Sequence, residues 1–513
     1  MKKNALRGRK MRYGGIAIAL TVLVIAVTVL ANAVFSTLAK RYLWYNYMVR
    51  EGSYDVTDRC YALLEDAFKA YPDSKVEVIF CDLPTEEGIM EDSTLNYVYQ
   101  TARSIAARYS NQVTLTCHDV WTNPTSVRQY KTMINPLTQE SMEMNIKSTS
   151  VILVGEDFHR VYDLTEFFVF ENGDTSKVWA YDGEKKLSAG IIRAIRSDDN
   201  FVCLTTNHGE TFYDAELLYL LDDAGYTISY IDLHKDPIPA NCSLIISFNP
   251  TSDLVADNVS ATSEIALLED FLAKDGNSFL VLMENSSPSL PNLESFLESW
   301  GVDFCYSADP ETKASYRYMV QDPSGSLTSD GYTIYGQPVA TGHSAQLLKD
   351  LNRPVIFKNA TAITAAQGYV NNGDGSYTKG DRTLYSLYQS GEDSACWTNG
   401  KRVYSGSVTL MSLTEQKNAT GSSFVGVVTS TDFSEEQFLQ SAVYGNTDAM
   451  MRTFETVGME LTTEGLTIKP FASTDISTIT TAQMLRWTIG LSVTPAVVLT
   501  ALGIVILVRR RRA

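Results

Sequence analysis

Two apolar runs bracket the chain and constrain it more than any other feature. Gly14 to Val34 (GGIAIALTVLVIAVTVLANAV) follows a leader carrying Lys2, Lys3, Arg7, Arg9, Lys10 and Arg12 without an acidic residue. Trp487 to Val508 is the second run and ends in Arg509, Arg510, Arg511 and Arg512. At roughly 1.5 Å per helical residue, about twenty residues cross a bilayer core. Pro495 in the second run is compatible with that, because a transmembrane helix accommodates the lost backbone bond. The expectation is therefore one transmembrane helix at each end (13–38 and 487–508), with basic tails at 1–12 and 509–513. The outer arginines and lysines place both termini in the cytoplasm, which predicts a two-pass plasma-membrane protein whose bulk is extracytoplasmic. The competing reading of the first run is a cleaved signal peptide, because Ala31-Asn32-Ala33 has the A-x-A form; the run exceeds the usual signal-peptide apolar region of 7–15 residues.

Charge narrows the partners. The formal charge is −18, but the basic residues concentrate at the ends. Without the six at the start and the four at the end, 32 basic residues face all 60 acidic ones, a charge near −28. A segment this acidic repels nucleic acid and anionic headgroups, so no nucleic-acid role is expected. Seven cysteines (60, 81, 117, 203, 242, 305 and 396) show no CxxC and no tight spacing. Zinc and dithiol redox chemistry are therefore not indicated, and no disulfide can be assigned. Cys81, Cys203 and Cys242 fall in strand-like stretches, where cysteine packs as a small hydrophobe.

Some 440 residues between the runs exceed one core and predict two domains. The first spans 50–197. KVEVIFCDL (75–83) reads as a strand, 92–110 as an amphipathic helix, and QVTLTCHDV (112–120) as a strand. Residues 148–164 read as a hairpin turning at Gly155-Glu156-Asp157, and 183–197 as a closing helix. That order suits a thioredoxin-like α/β sheet. The second domain spans 200–460. FVCLTT, YTISYIDL, CSLIISF and NSFLVLM are short apolar strands separated by helical segments, the pattern of a mostly parallel, doubly wound sheet. Residues 307–419, rich in Gly, Ser, Asn and Tyr, read as an irregular, elaborated insertion with short strands. SSFVGVVTSTDF (422–433) restores a core strand, the helix NTDAMMRTFETVG follows, and 461–486 is a membrane-proximal linker.

The chemistry-bearing cluster is CLTTNHGETFYD, with His208, Glu210 and Asp214. These residue types serve as acid and base or as metal ligands. The structural alternative is a strand-to-helix turn: Gly209 permits the bend, Glu210 and Asp214 favour the positive helix N-terminus, and His208 bonds the loop. No second histidine stands four residues away, and His118, His159, His234 and His343 are dispersed. The turn reading leads, with ligand contact at the sheet edge as the functional remainder. Ligand-binding candidates are His208, Glu210, Asp253 in the loop after CSLIISF, and Asp432 after the strand of 422–433. Catalytic and metal-ligating residues are not assigned, and no cofactor is expected. An amidotransferase nucleophile needs a cysteine on a sharp strand-to-helix elbow. The corresponding stretch is ENSSPSL (284–290), where Ser286 or Ser287 would have to act without a recognisable base. No G-x-x-x-x-G-K-[ST] occurs, so the chain is not itself a P-loop ATPase. Asn446 reads as a helix cap. The sequons at Asn258 and Asn359 matter only where a secretory pathway glycosylates.

In their order along the chain, these elements resemble the GldG family, the auxiliary membrane component of an ABC-type transport system first named for gliding motility. The resemblance rests on the anchor, the thioredoxin-like segment, GEKKLSAGIIRAI and LTTNHGE, the last standing where the family has a Gly-His-Gly-Glu turn. It rests also on IISFNPTSDL, YGNTDAMMRTFETV and the basic ending ILVRRRR. The chain departs from the pattern at Asn207, where Gly is usual, and at Phe248-Asn249 before Pro250. The resemblance implies a second domain related to class I glutamine amidotransferases but lacking that activity. It further implies a non-enzymatic anchored subunit whose partners are an ABC permease and a separate P-loop ATPase. The alternatives are a stand-alone extracytoplasmic module binding a polysaccharide or peptide, or a hydrolase on a degenerate amidotransferase-like fold.

Overall fold

The computed structural model describes residues 55–471 apart from 136–139, 157, 171–174, 176, 197–199, 211–214, 257–262, 309–314, 442 and 459–461. They form an α/β fold with several sheets. The expectation of a transmembrane helix at each end is corrected here. Among the described residues no helix is long and apolar enough to cross a membrane, and the runs at 14–34 and 487–508 lie outside them. The two-pass plasma-membrane placement and the anchored transport subunit both required such helices, and both are withdrawn with them.

The N-terminal lobe opens with α1 (Asp58–Ala70), whose Thr57 cap accepts a hydrogen bond from the amide of Cys60. Strand β1 (Val76–Phe80), α2 (Ser93–Arg108) and β2 (Val113–Cys117) follow. Asp92 starts α2 by accepting from the amides of Thr94 and Leu95 at 2.8 and 3.1 Å, as an N-cap acid should. A hairpin of β3 (Val151–Val154) and β4 (His159–Tyr162) completes the sheet in the order β2-β1-β3-β4, with only β1 and β2 parallel. Strand β5 (Val178–Tyr181) leads into α3 (Gly183–Ile195). The apolar stripe of α2 (Leu95, Val98, Ala102, Ile105) packs with Val78 and Phe80 of β1 and with Leu187 and Ile191 of α3.

The C-terminal lobe alternates β6 (Phe201–Thr205), α4 (Ala215–Asp223), β7 (Thr227–Ile231), β8 (Cys242–Phe248), α5 (Glu264–Leu272), β9 (Ser278–Leu282) and α6 (Pro291–Ser299). Gly225, at φ +95°, ends the α4 segment in a conformation that costs glycine little. Then come β10 (Thr333–Pro338), β11 (Val355–Lys358), β12 (Arg382–Gln389), β13 (Thr409–Lys417), β14 (Ser422–Val428) and α7 (Asn446–Thr456). The sheet runs β7-β6-β8-β9-β14-β13-β12-β10-β11. Its first five strands are mutually parallel and the rest antiparallel. Successive side chains of a strand serve opposite faces. Val202, Leu204, Leu244 and Ile246 pack with Leu217, Leu221, Met451 and Phe454 of α4 and α7 on one side. Cys203, Ile245, Phe279 and Val281 meet Leu268, Phe271, Phe296 and Trp300 of the α5–α6 side.

Two features differ from the sequence reading. The stretch 307–419 is no mere elaboration, because β12 and β13 extend the main sheet from within it. The supposed linker after 461 also contributes: Lys469–Pro470 pairs antiparallel with β5. Lys469 there forms an ion pair with Glu184 and donates to the carbonyl of Asp55, so the two ends of the described body meet on the N-terminal lobe.

Candidate functional site

The chain passes from β6 to β7 on one side and then to β8 on the other, so the carboxyl ends of β6 and β8 form the topological switch point of the sheet. Doubly wound sheets take ligands in that crevice. Here the two loops stitch themselves together across it. The amides of Thr251 and Ser252 donate to the carbonyl of His208 at 2.7 and 2.8 Å. Gly209 has φ +76°, and a Cβ there would lie 1.9 Å from Thr251 Oγ1, so the close approach requires glycine. Asn207 and Asn249 have φ 78° and 48°. Asparagine tolerates the left-handed region better than most side chains, which suits both positions to a tight loop.

His208 is 4% exposed and sits between two carboxylates. Nε2 lies 3.1 Å from Glu264 Oε2, and Nδ1 lies 3.4 Å from Glu210 Oε1, an ion-pair distance without hydrogen-bond geometry. Burial opposes charge on the ring, but Glu210 and Glu264 outweigh it and push the imidazole pKa up to about 10. Both carboxyls are themselves held below the usual range: burial works against this, and His208 overcomes it. Glu210 does not face onward to a helix N-terminus. It turns back, accepting from the amide of His208 at 2.7 Å and from Thr205 Oγ1 at 2.7 Å. Glu264, the first residue of α5, also accepts from the amide of Val255 at 2.7 Å. The triad thus ties three segments with ionic groups while filling the crevice. Asp214 lies outside the described residues.

Asp253 is also committed. Its carboxylate accepts from the amides of Asn292 and Leu293 at 2.8 and 3.1 Å, capping α6 from a distant loop where Pro291 occupies the first turn. Asp432 lies farther along the same sheet edge. Its Oδ2 accepts from Asn359 Nδ2 at 2.9 Å and stands 3.3 Å from Lys358 Nζ, which also contacts Glu435 at 2.6 Å. Burial and the neighbouring Glu435 raise the Asp432 carboxyl, against the pull of Lys358. The four candidates are therefore not one site: His208 and Glu210 meet, while Asp253 and Asp432 make separate contacts.

A hydrogen-bonded rim joins these strand ends. Ser287 Oγ donates to Asn249 Oδ1 at 2.6 Å and accepts from the amide of Glu284. Ser286 donates to Glu284, whose other oxygen accepts from Thr431 Oγ1 at 2.7 Å. Arg317 pins the loop from below, donating to the carbonyls of Ser287 and Pro288 and pairing with Glu294 at 2.7 Å. Sequence reasoning missed Glu264, Lys358, Glu435 and Arg317. Each acts through a partner distant in sequence, and only the opening of α5 by Ser263-Glu264 gave a local signal. Among the described residues no group of three His, Cys, Asp or Glu is placed to hold a metal ion. No protein-family model matches the chain and no curated protein matches it, so the resemblance to the GldG family rests on the motifs quoted above alone.

Proposed function

We propose that the chain is a non-catalytic binding module that takes an extended polysaccharide along the polar rim of its α/β sheet. The observation that carries this reading is the occupied switch point. The Glu210–His208–Glu264 triad fills the crevice where a small ligand would sit, while the rim residues Lys358, Asp432 and Glu435 keep side-chain exposures of 24–33%. Carboxylates accept from sugar hydroxyls, and the ammonium and the amide of Asn359 donate to them. A rim with three carboxylates (Glu284, Asp432, Glu435) and one lysine also suits a cationic peptide, which is the second reading. Absence of hydrolysis is part of the proposal. It is supported by the commitments of Ser287 to Asn249 and Glu284 and by a histidine whose ring faces two carboxylates.

The test is binding of the full-length chain to polysaccharide and peptide arrays, followed by calorimetry on any hit. Asp432→Asn with Glu435→Gln should weaken polysaccharide binding at least tenfold. Unchanged binding in that variant would remove the rim from the reading. Release of soluble sugar from the polymer would end its non-catalytic part. Capture of an ABC permease with its P-loop ATPase, and no polymer, would favour the partners that the GldG resemblance implies.

A further inference from the structure

Helices α3 and α4 bring a second set of ionisable groups together where the two lobes pack. Lys186 on α3 donates to both carboxylate oxygens of Asp223 on α4, at 2.9 and 2.8 Å. Lys185 stands 3.6 Å from the same carboxylate. Arg160 on β4 pairs with Asp222 and, at 3.4 Å, with Glu166. These contacts join Arg160, Lys185 and Lys186 to Asp222 and Asp223 across the junction, with Glu166 beside Arg160 on the same lobe.

Asp182, immediately before α3, is the carboxylate left over. It is 7% exposed, its side chain makes no capping hydrogen bond, and Oδ1 is buried without a hydrogen-bond partner. It lines a polar cavity of about 60 Å³ with Lys185, Lys186, Glu216, Asp223 and Glu166. A buried carboxylate without a donor is costly, and neutralisation is the cheapest remedy. We propose that Asp182 takes up a proton as the two lobes pack, so that their junction is tighter in mildly acidic than in neutral solution.

The groups facing Asp182 agree with this. Burial is the dominant influence and raises its carboxyl pKa to about 6; Lys185 and Lys186 pull it down, and Asp223 and Glu184 push it up. The lysines give limited relief because both point their charge at Asp223. Glu184 is occupied by Lys469 and Thr57. A group whose folded pKa lies above its unfolded value of about 3.8 stabilises fully below that value and loses the contribution as pH rises through the folded one. The window is therefore about pH 4 to 6.

The experiment compares the full-length chain with Asp182→Asn, a permanent mimic of the protonated acid, in denaturant melts from pH 4 to 8. Comparing the two chains cancels the titration of Glu166 and other raised carboxyls. The ratio of their unfolding constants should change by roughly tenfold to a hundredfold between pH 4 and 7, with the variant gaining on the wild type as pH rises. A ratio independent of pH would overturn the proposal. Amide exchange in wild-type α3 and α4, corrected for intrinsic rates, gives a second readout that does not depend on the variant folding. Protection there should be greater at pH 5 than at pH 7, and equal protection would equally overturn it.

Discussion

Nε2 of His208 lies 3.1 Å from Oε2 of Glu264, which joins the loop after β6 to the start of α5 across 56 positions. With Glu210 on the other side, the ring is a cation between two buried anions, and its charged form is part of the fold. Raised from about 6.5 to about 10, the histidine stabilises fully below pH 6.5, and that contribution is lost as pH rises through 10. His208→Ala leaves two buried carboxylates unpaired, so it should cost about 3–5 kcal/mol near pH 6. The gap between variant and wild type should close between pH 7 and 10 in denaturant melts. A gap that stayed constant would show that the ring acts by packing alone.

Gly209 tests the stitch between the two loops. Gly209→Ala meets Thr251 Oγ1 and adopts a positive φ, so it should destabilise by about 2 kcal/mol or more. Adding Thr251→Ala removes the nearer clash, leaving the backbone cost. Partial recovery is therefore expected from urea midpoints, and full recovery or none would contradict the geometry.

What was legible in the sequence follows from the range of the interactions. Asp92 and Ser263 cap their helices through amides two or three residues away, and such local signals fix α2 and α5. Strands β6, β8 and β9 were legible because burial on both faces makes them largely apolar; β9 is buried at every position. Strands β12 and β13 are also largely buried, yet they carry Ser386, Ser412 and Thr414 inward. Thr414 is satisfied by the carbonyl of Trp300, a partner 114 positions away, and this polarity disguised a core strand as insertion. At the switch point the sequence pointed to a turn around His208. It did not reveal Glu264, because a glutamate in the first turn of a helix is ordinary by composition.

Arg317 is the third test. It is 4% exposed, lies 4.2 Å over the ring of Phe304 and holds the 284–290 loop through two carbonyls and Glu294. Lysine keeps the charge but cannot reach all three acceptors from one planar fork. Arg317→Lys should cost about 2–4 kcal/mol and speed proteolysis at the Ser286–Pro288 loop. Unchanged cleavage there, with stability lost, would mean that the side chain supports only the aromatic packing.

The junction ion pair supplies the last test. Lys186 and Asp223 are both largely buried, and their side chains retain 14% and 6% exposure. Burial disfavours charge on Asp223, but Lys186 and Lys185 reverse this and lower its carboxyl pKa. Its contribution is thus present above its unfolded value of about 3.8 and is lost as pH falls through the lower folded value. Lys186→Met leaves that carboxylate with Lys185 alone at 3.6 Å and should cost about 3–5 kcal/mol at pH 7. Adding Asp223→Leu removes the orphaned charge, and replacing a whole buried pair with apolar groups is often neutral or stabilising. The double variant should therefore recover most of the loss and tolerate acid below pH 3.8 better than the wild type. If the double variant were no more stable than Lys186→Met, the junction would depend on the salt bridge itself rather than on the avoidance of an unpaired buried charge.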